Sequence, residues 1–183
     1  MGNWYKNITL RGPDQAEVAA VLRRLDRRAY VTPTRDSVTV VFDRASDEEG
    51  DPGELGDLVM ALSHELDCAA LAAAVFDDDV LLLGLYDHGT QVGEYNSAGR
   101  STLGATSLSR AFGVGRRAPL LWALLGCARL PLFLFESFRH RLLVRALGHP
   151  IWAVATGYGY LRRGELPEGL AANALVHVGG TRE

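Results

Sequence analysis

Residues 68–97 read CAALAAAVFDDDVLLLGLYDHGTQVGEYNS, and this stretch decides the fold class. Ala69 to Phe76 and Val80 to Tyr86 are apolar runs of strand length, parted by Asp77, Asp78 and Asp79. A second turn at Asp87, His88 and Gly89 leads into a third strand, Gln91 to Asn96. Turn residues between β-rich apolar runs predict a three-stranded antiparallel meander.

Working back from it, Leu55, Leu58, Val59, Leu62 and Leu66 repeat at helical spacing after Asp51, Pro52 and Glu54, a cap followed by a first-turn proline and an acid. An earlier helix has the same form: Asp14 and Glu17 make a capping box, and Val18, Val21, Leu22 and Leu25 line one face up to about Arg28. Tyr30 to Thr34 and Ser37 to Phe42 follow as a hairpin, with Pro33 marking the first as an edge. The order helix, strand, strand therefore occurs twice, the second copy being longer. Trp4 to Arg11 alternates as a strand ahead of both copies. Between them, DRASDEEGDPGE (43–54) reads as a mobile, solvated acidic loop. The expected half is an antiparallel sheet of about six strands, with the first strand and Gln91–Asn96 at its edges and both helices on one face.

After Ser97 the pattern becomes helical. Ala105–Phe112, Pro119–Ala128, Leu132–Leu147 and Pro150–Arg163 read as four helices, punctuated by glycines and prolines. On the third, Phe135, Phe138, Leu142 and Ala146 share the expected apolar face, with Ser137, Arg141 and Arg145 on another. The fourth also alternates as a strand would at Trp152, Val154, Thr156, Tyr158 and Tyr160; Pro150 and Gly164 at its ends favour a helix. The class is thus α+β, with an acidic sheet half over 1–98 and a basic helical half over 99–183 expected to pack as one unit.

Charge follows the same division. Residues 1–98 carry 8 basic and 18 acidic groups, residues 99–183 carry 11 and 4, and the whole chain of 183 residues has a net charge of −3. Such a split supports docking of the halves or contact of the basic half with an anionic partner. Lys6 is the single lysine in a chain rich in Ala, Leu, Gly and Asp, a bias that suggests a GC-rich bacterial genome. Cys68 and Cys127 stand in apolar surroundings without companions at metal-ligand spacing, so both are expected to be buried thiols in a reducing compartment. MGNWYKNITL has no secretory pattern, and Lys6 stands where a myristoylation motif needs Ser or Thr, so a cytoplasmic location is expected. PLLWALLGCARLPLFLF (119–135) falls short of the ~20 residues of a bilayer helix and contains Arg129 and Pro131. No membrane partner is expected.

Few residues suggest chemistry. FGVGRRAP (112–119) places Arg116 and Arg117 ahead of a helix start, where an anion is favoured, so a carboxylate of the N-terminal half or a bound anionic ligand is expected beside them. The Gly-Lys-Ser/Thr ending of a Walker loop is missing. Glu136 and His140 stand at i and i+4 and can form a surface pair, and His64 lies opposite its helix's apolar stripe. Asp77, Asp78 and Asp79 lack further ligands at defined spacing, so neither metal nor cofactor is expected. Tyr86, Asp87, His88, Tyr95, Asn96 and Ser97 gather at the end of the meander, and Tyr95 and Asn96 are candidate ligand-binding residues on the seam between the halves.

LLVRALGHPIWAVATGYGYLRRGELP (142–167) resembles the helix-turn-helix of Cro/repressor-type DNA-binding proteins, matching at Ala146, Leu147, Gly148, Val154, Arg163, Gly164, Glu165 and Pro167. The resemblance implies a recognition helix ending near Arg163 and nucleic-acid contacts from Thr156, Arg162 and Arg163. It departs at Ala153, Ala155, Gly157 and Gly159, where base-reading side chains belong. Without a nucleophile and base at fixed spacing, the leading expectation is a non-catalytic macromolecule-binding protein, a regulatory, adaptor or immunity-type component with another protein as partner or a second copy of itself. The alternatives are a DNA-binding regulator using the helix-turn-helix-like segment, or an enzyme with an anion site at Arg116 and Arg117.

Overall fold

The computed structural model describes residues 2–48, 52–126 and 135–179. The protein is α+β, built on one antiparallel sheet of seven strands rather than six. In chain order they are β1 (Tyr5–Arg11), β2 (Ala29–Val31), β3 (Val38–Asp43), β4 (Ala69–Phe76), β5 (Val80–Asp87), β6 (Thr90–Asn96) and β7 (Val176–Val178). In space the order is β6-β5-β4-β1-β3-β2-β7. The meander of 68–97 forms as read, with Phe76 facing Val80 and Leu82 facing Asn96. Two expectations change: β1 is the central strand, paired to β4 and β3, and the true edge beyond β2 is β7.

Alternate residues of each central strand enter different cores. Ile8, Leu10, Ala70, Ala72 and Ala74 meet the apolar stripes of α1 (Gln15–Arg24) and α3 (Pro52–Glu65), which lie together on one face. On the opposite face Tyr5, Leu71, Ala73 and Val75 meet α4 (Ala105–Ala111), α5 (Ala118–Gly126) and α6 (Glu136–Leu147). Val40 and Phe42 continue that face against Val144, Val154, Tyr158 and Leu161. Both faces of β1 and β4 are therefore covered, and small alanines let the layers approach. The predicted capping box forms: Asp14 accepts from Ala16 N and Glu17 N, and Glu17 returns a bond to Asp14 N at 2.8 Å.

The acidic stretch after β3 is not simply a solvated loop. Arg44–Glu48 is a short helix, α2, with the buried Asp43 at its start accepting from Ser46 N and Oγ, both at 2.9 Å. Arg27 clamps the same carboxylate and reaches Glu54 at 2.9 Å. Asp51, the expected cap of α3, lies outside the described residues, as do residues 127–134 with Cys127. Cys68 is a buried free thiol, pushed up to about 12 by burial. Among the described residues no helix is long and apolar enough to cross a membrane.

Candidate functional site

The seam between β6 and α6 is polar and closed. Helix α6 is rotated relative to the expected stripe: Glu136, Arg139 and His140 face inward with Leu143 and Leu147, while Phe135 and Phe138 stand exposed. The sheet supplies their partners. Arg139 Nη1 donates to the Tyr95 hydroxyl, and its Nε lies 3.1 Å from Glu136 Oε2. His140 Nδ1 lies 2.9 Å from the Tyr5 hydroxyl, the rings stacked at 5.7 Å. Burial pushes His140 down to about 4 and raises Glu136, Arg139 and Ser97 offsetting part of the latter. Tyr95 and Arg139 are 2 % and 1 % exposed, so this network anchors α6 to the sheet. Asn96 turns inward on its own loop, its side-chain oxygen accepting from Ala98 N at 2.9 Å. Glu136 and His140 do not form the surface pair expected from their spacing.

Arg116 and Arg117 occupy a single turn of 3-10 helix (Gly115–Arg117) before α5, and both are exposed. The negative partner of Arg117 is the end of a helix: its Nη1 donates to the carbonyls of Arg145 and Ala146 at 3.0 and 3.1 Å, the last turn of α6. The Asp77–Asp79 turn is likewise occupied. Asp78 accepts from the backbone and side chain of Asn3 at 3.0 and 2.8 Å, and its carbonyl accepts from Glu136 N at 2.7 Å. Burial would raise its carboxyl; donors from Ser137 and Asn3 hold it below the ordinary range instead. Among the described residues no group of three or more His, Cys, Asp or Glu is arranged to hold a metal ion.

The helix expected over Pro150–Arg163 is broken in two. Ile151–Ala153 make a 3-10 turn, Val154 is extended, Ala155 has a φ of +52°, and α7 spans only Tyr158–Arg162. The recognition helix implied by the resemblance is thus not formed as one element. Its two glycines have a different use. Asp47 of α2 bonds Gly159 N at 3.0 Å, and a Cβ on Gly157 would stand 2.7 Å from the same carboxylate. Thr156 is buried and internal: its hydroxyl bonds Val154 O, and its carbonyl accepts from Asn7. Arg163 pairs with Glu165 at 2.7 Å and lies over the Tyr160 ring.

Arg162 lies elsewhere, among the residues lining a cleft of about 660 Å³ beside β2 and β7. Tyr30 and His177, directly paired across those strands, form its floor with Tyr158. The rings run in a row, Tyr158 to Tyr30 at 5.1 Å and Tyr30 to His177 at 4.8 Å. Arg28 and Arg44 are neighbours in the lining, Arg44 N donating to Arg28 O at 2.8 Å, and Arg162 of α7 is also part of it. None of the described residues lining the cleft is acidic. The volume falls within the usual ~300–1,000 Å³ of ligand sites, and three arginines stand among the lining residues.

Of the residues read from sequence as candidates, only Arg162 belongs to this cleft. Tyr95 and Asn96, Arg116 and Arg117, and Thr156 and Arg163 lie at other places in the fold. Arg28, Tyr30, Arg44, Tyr158 and His177 had no sequence signal as a group, since they come from the loop before β2, from β2, α2, α7 and β7. The one clue was the alternation in Val176-His177-Val178, too short to read as a strand without its partner β2. Compared with models of known families, with curated proteins and with solved structures, the chain matches none.

Proposed function

We propose that the chain is a non-catalytic binding protein, a cytoplasmic bacterial component of regulatory, adaptor or immunity type, that holds an anionic partner macromolecule in the β2–β7–α7 cleft. The observation that supports this reading is the clustering of Arg28, Arg44 and Arg162 with the rings of Tyr30, Tyr158 and His177 along one cleft. Among the described lining residues there is no carboxylate, thiol or serine, and arginine cannot serve as a base near neutral pH; His177 alone of these could exchange a proton there, so the side chains suit holding more than turnover.

Retention on a polyanion tests it. The protein is expected to bind immobilised heparin at low salt and to elute at moderate salt, and the exposed-site double variant Arg28→Ala/Arg162→Ala is expected to elute at markedly lower salt. Equal elution of the two proteins, or no retention of either, would count against the cleft as a binding site for anions.

A further inference from the structure

We infer that the outer surface of α5 and α6 is the interface of a two-fold symmetric dimer, on which a second copy of this chain lies antiparallel. This surface shares no residue with the β2–β7–α7 cleft. Helix α5 is apolar on every side: among its nine side chains only the Trp122 indole can form a hydrogen bond. Such a helix is normally covered all round. Here Leu121, Leu124 and Leu125 enter the core over the sheet, while Trp122 and Leu120 are 72 % and 52 % exposed. Phe135, at the N-terminal cap of α6, is 58 % exposed. Because α6 sends Leu143, Ala146 and Leu147 into the same core, the outward sides of both helices form one surface. Its exposed aromatic rings and leucine suit the buried centre of a protein–protein interface.

Charge identifies the occupant. The bonds from Arg117 to the carbonyls of Arg145 and Ala146 set the start of α5 against the end of α6, so the exposed Arg116 and Arg145 gather there, with the exposed Arg141 one turn further in. The other end of α6 abuts the Asp77–Asp79 turn: Glu136 N donates to the Asp78 carbonyl at 2.7 Å, and Asp77 and Asp79 are exposed. Twelve helical residues separate the two ends by ~18 Å. A two-fold axis across the middle sets the arginine end of each copy beside the aspartate end of the other, the same contact made twice, with Leu120, Trp122 and Phe135 between them. A parallel pairing would set arginine on arginine. An anionic membrane would meet the same apolar side chains but would face the aspartates at one end.

Sedimentation equilibrium of the full chain from about 1 to 100 µM reads the inference. A dimer is expected, and raised salt is expected to weaken it. Trp122→Glu is expected to leave a monomer. Arg145→Glu is expected to weaken association about ten-fold or more, and Asp79→Arg/Arg145→Glu, which exchanges the two charges, to restore it to within about three-fold of the original chain. Circular dichroism matching the original chain secures each comparison, and if Trp122→Glu fails to fold, the charge variants decide the question. A chain that stays monomeric at about 100 µM overturns the inference, and binding of that monomer to phosphatidylglycerol vesicles would assign the face to a lipid surface instead. A dimer indifferent to a folded Trp122→Glu or to Arg145→Glu also overturns it. So does a double variant that associates no more tightly than Arg145→Glu alone, because the antiparallel pairing requires the exchange to restore both contacts.

Discussion

At the residue scale, the glycines of the Gly157-Tyr158-Gly159 sequence differ in what they do. Gly157 leaves room for the Asp47 carboxylate, and an added Cβ would meet it at 2.7 Å. Asp47 is itself fixed by Lys6 N and Gly159 N, both at 3.0 Å, so it has little room to retreat. Gly159 has only ordinary contacts, the nearest being 3.6 Å to Arg163, and stands inside α7. Gly157→Ala is therefore expected to lower stability by ~1–3 kcal/mol in urea denaturation, the usual range for overpacking. Gly159→Ala should be neutral or gain up to ~1 kcal/mol from helix propensity. The reverse ranking would show that Asp47 does not set this turn. Sequence alone registered both glycines as a cost to a helix, because the carboxylate that needs the space is over a hundred residues away.

At the scale of elements, the Asp77–Asp79 turn has two jobs that are separable by mutation. Asp77 and Asp78 have φ values of +51° and +60°, and Asp79 N bonds Phe76 O at 2.9 Å, the pattern of a type I′ turn. Glycine suits that backbone better than aspartate does. The Asp78 side chain also ties the N-terminal segment to the turn through Asn3. Asp78→Gly is accordingly expected to destabilise by ~1–2 kcal/mol despite its better backbone fit, whereas Asp77→Asn should change stability by less than ~0.5 kcal/mol. Equal effects in urea denaturation would mean that the carboxylate at Asp78 contributes nothing beyond the turn. Helix α6 teaches the same lesson at larger size. Its periodicity placed Phe135 and Phe138 inward, yet the hydroxyls of Tyr5 and Tyr95 on the sheet give His140 and Arg139 partners that no solvent-facing stripe anticipates. Burial of three ionisable residues is tolerable there because those contacts replace part of their hydration.

For the whole molecule, the layer between sheet and helices holds two neutral histidines and so links stability to pH. Burial pushes His140 down to about 4; burial, with His140 and Arg11 adding to it, pushes His149 down to about 3. The unfolded chain protonates each below its ordinary value of ~6.5, while the folded protein takes up those protons only at much lower pH. Their contribution is thus fully present above ~6.5 and is lost as pH falls toward 4, by ~2 kcal/mol per histidine at pH 5. Glu136, raised by burial, works in the opposite direction. Urea midpoints are expected to fall between pH 7.5 and 5.0, and His140→Gln, which keeps a partner for Tyr5, should reduce that fall; an identical pH dependence in the variant would remove His140 from the account. What the sequence determined by itself is the α+β class, the meander over 68–97, the capped helix α1, the helix α3 and most of the C-terminal helices, because period, caps and turn residues act within a few neighbours. Tertiary structure alone decided that β1 is central, that 176–178 closes the sheet as β7, that the chain over 150–163 breaks, and that Arg28, Tyr30, Arg44, Arg162 and His177 share one cleft. Those outcomes depend on contacts between segments far apart in the chain, such as Asp47 on Gly159 and β7 on β2, and no local pattern encodes which distant surface will be there to meet them.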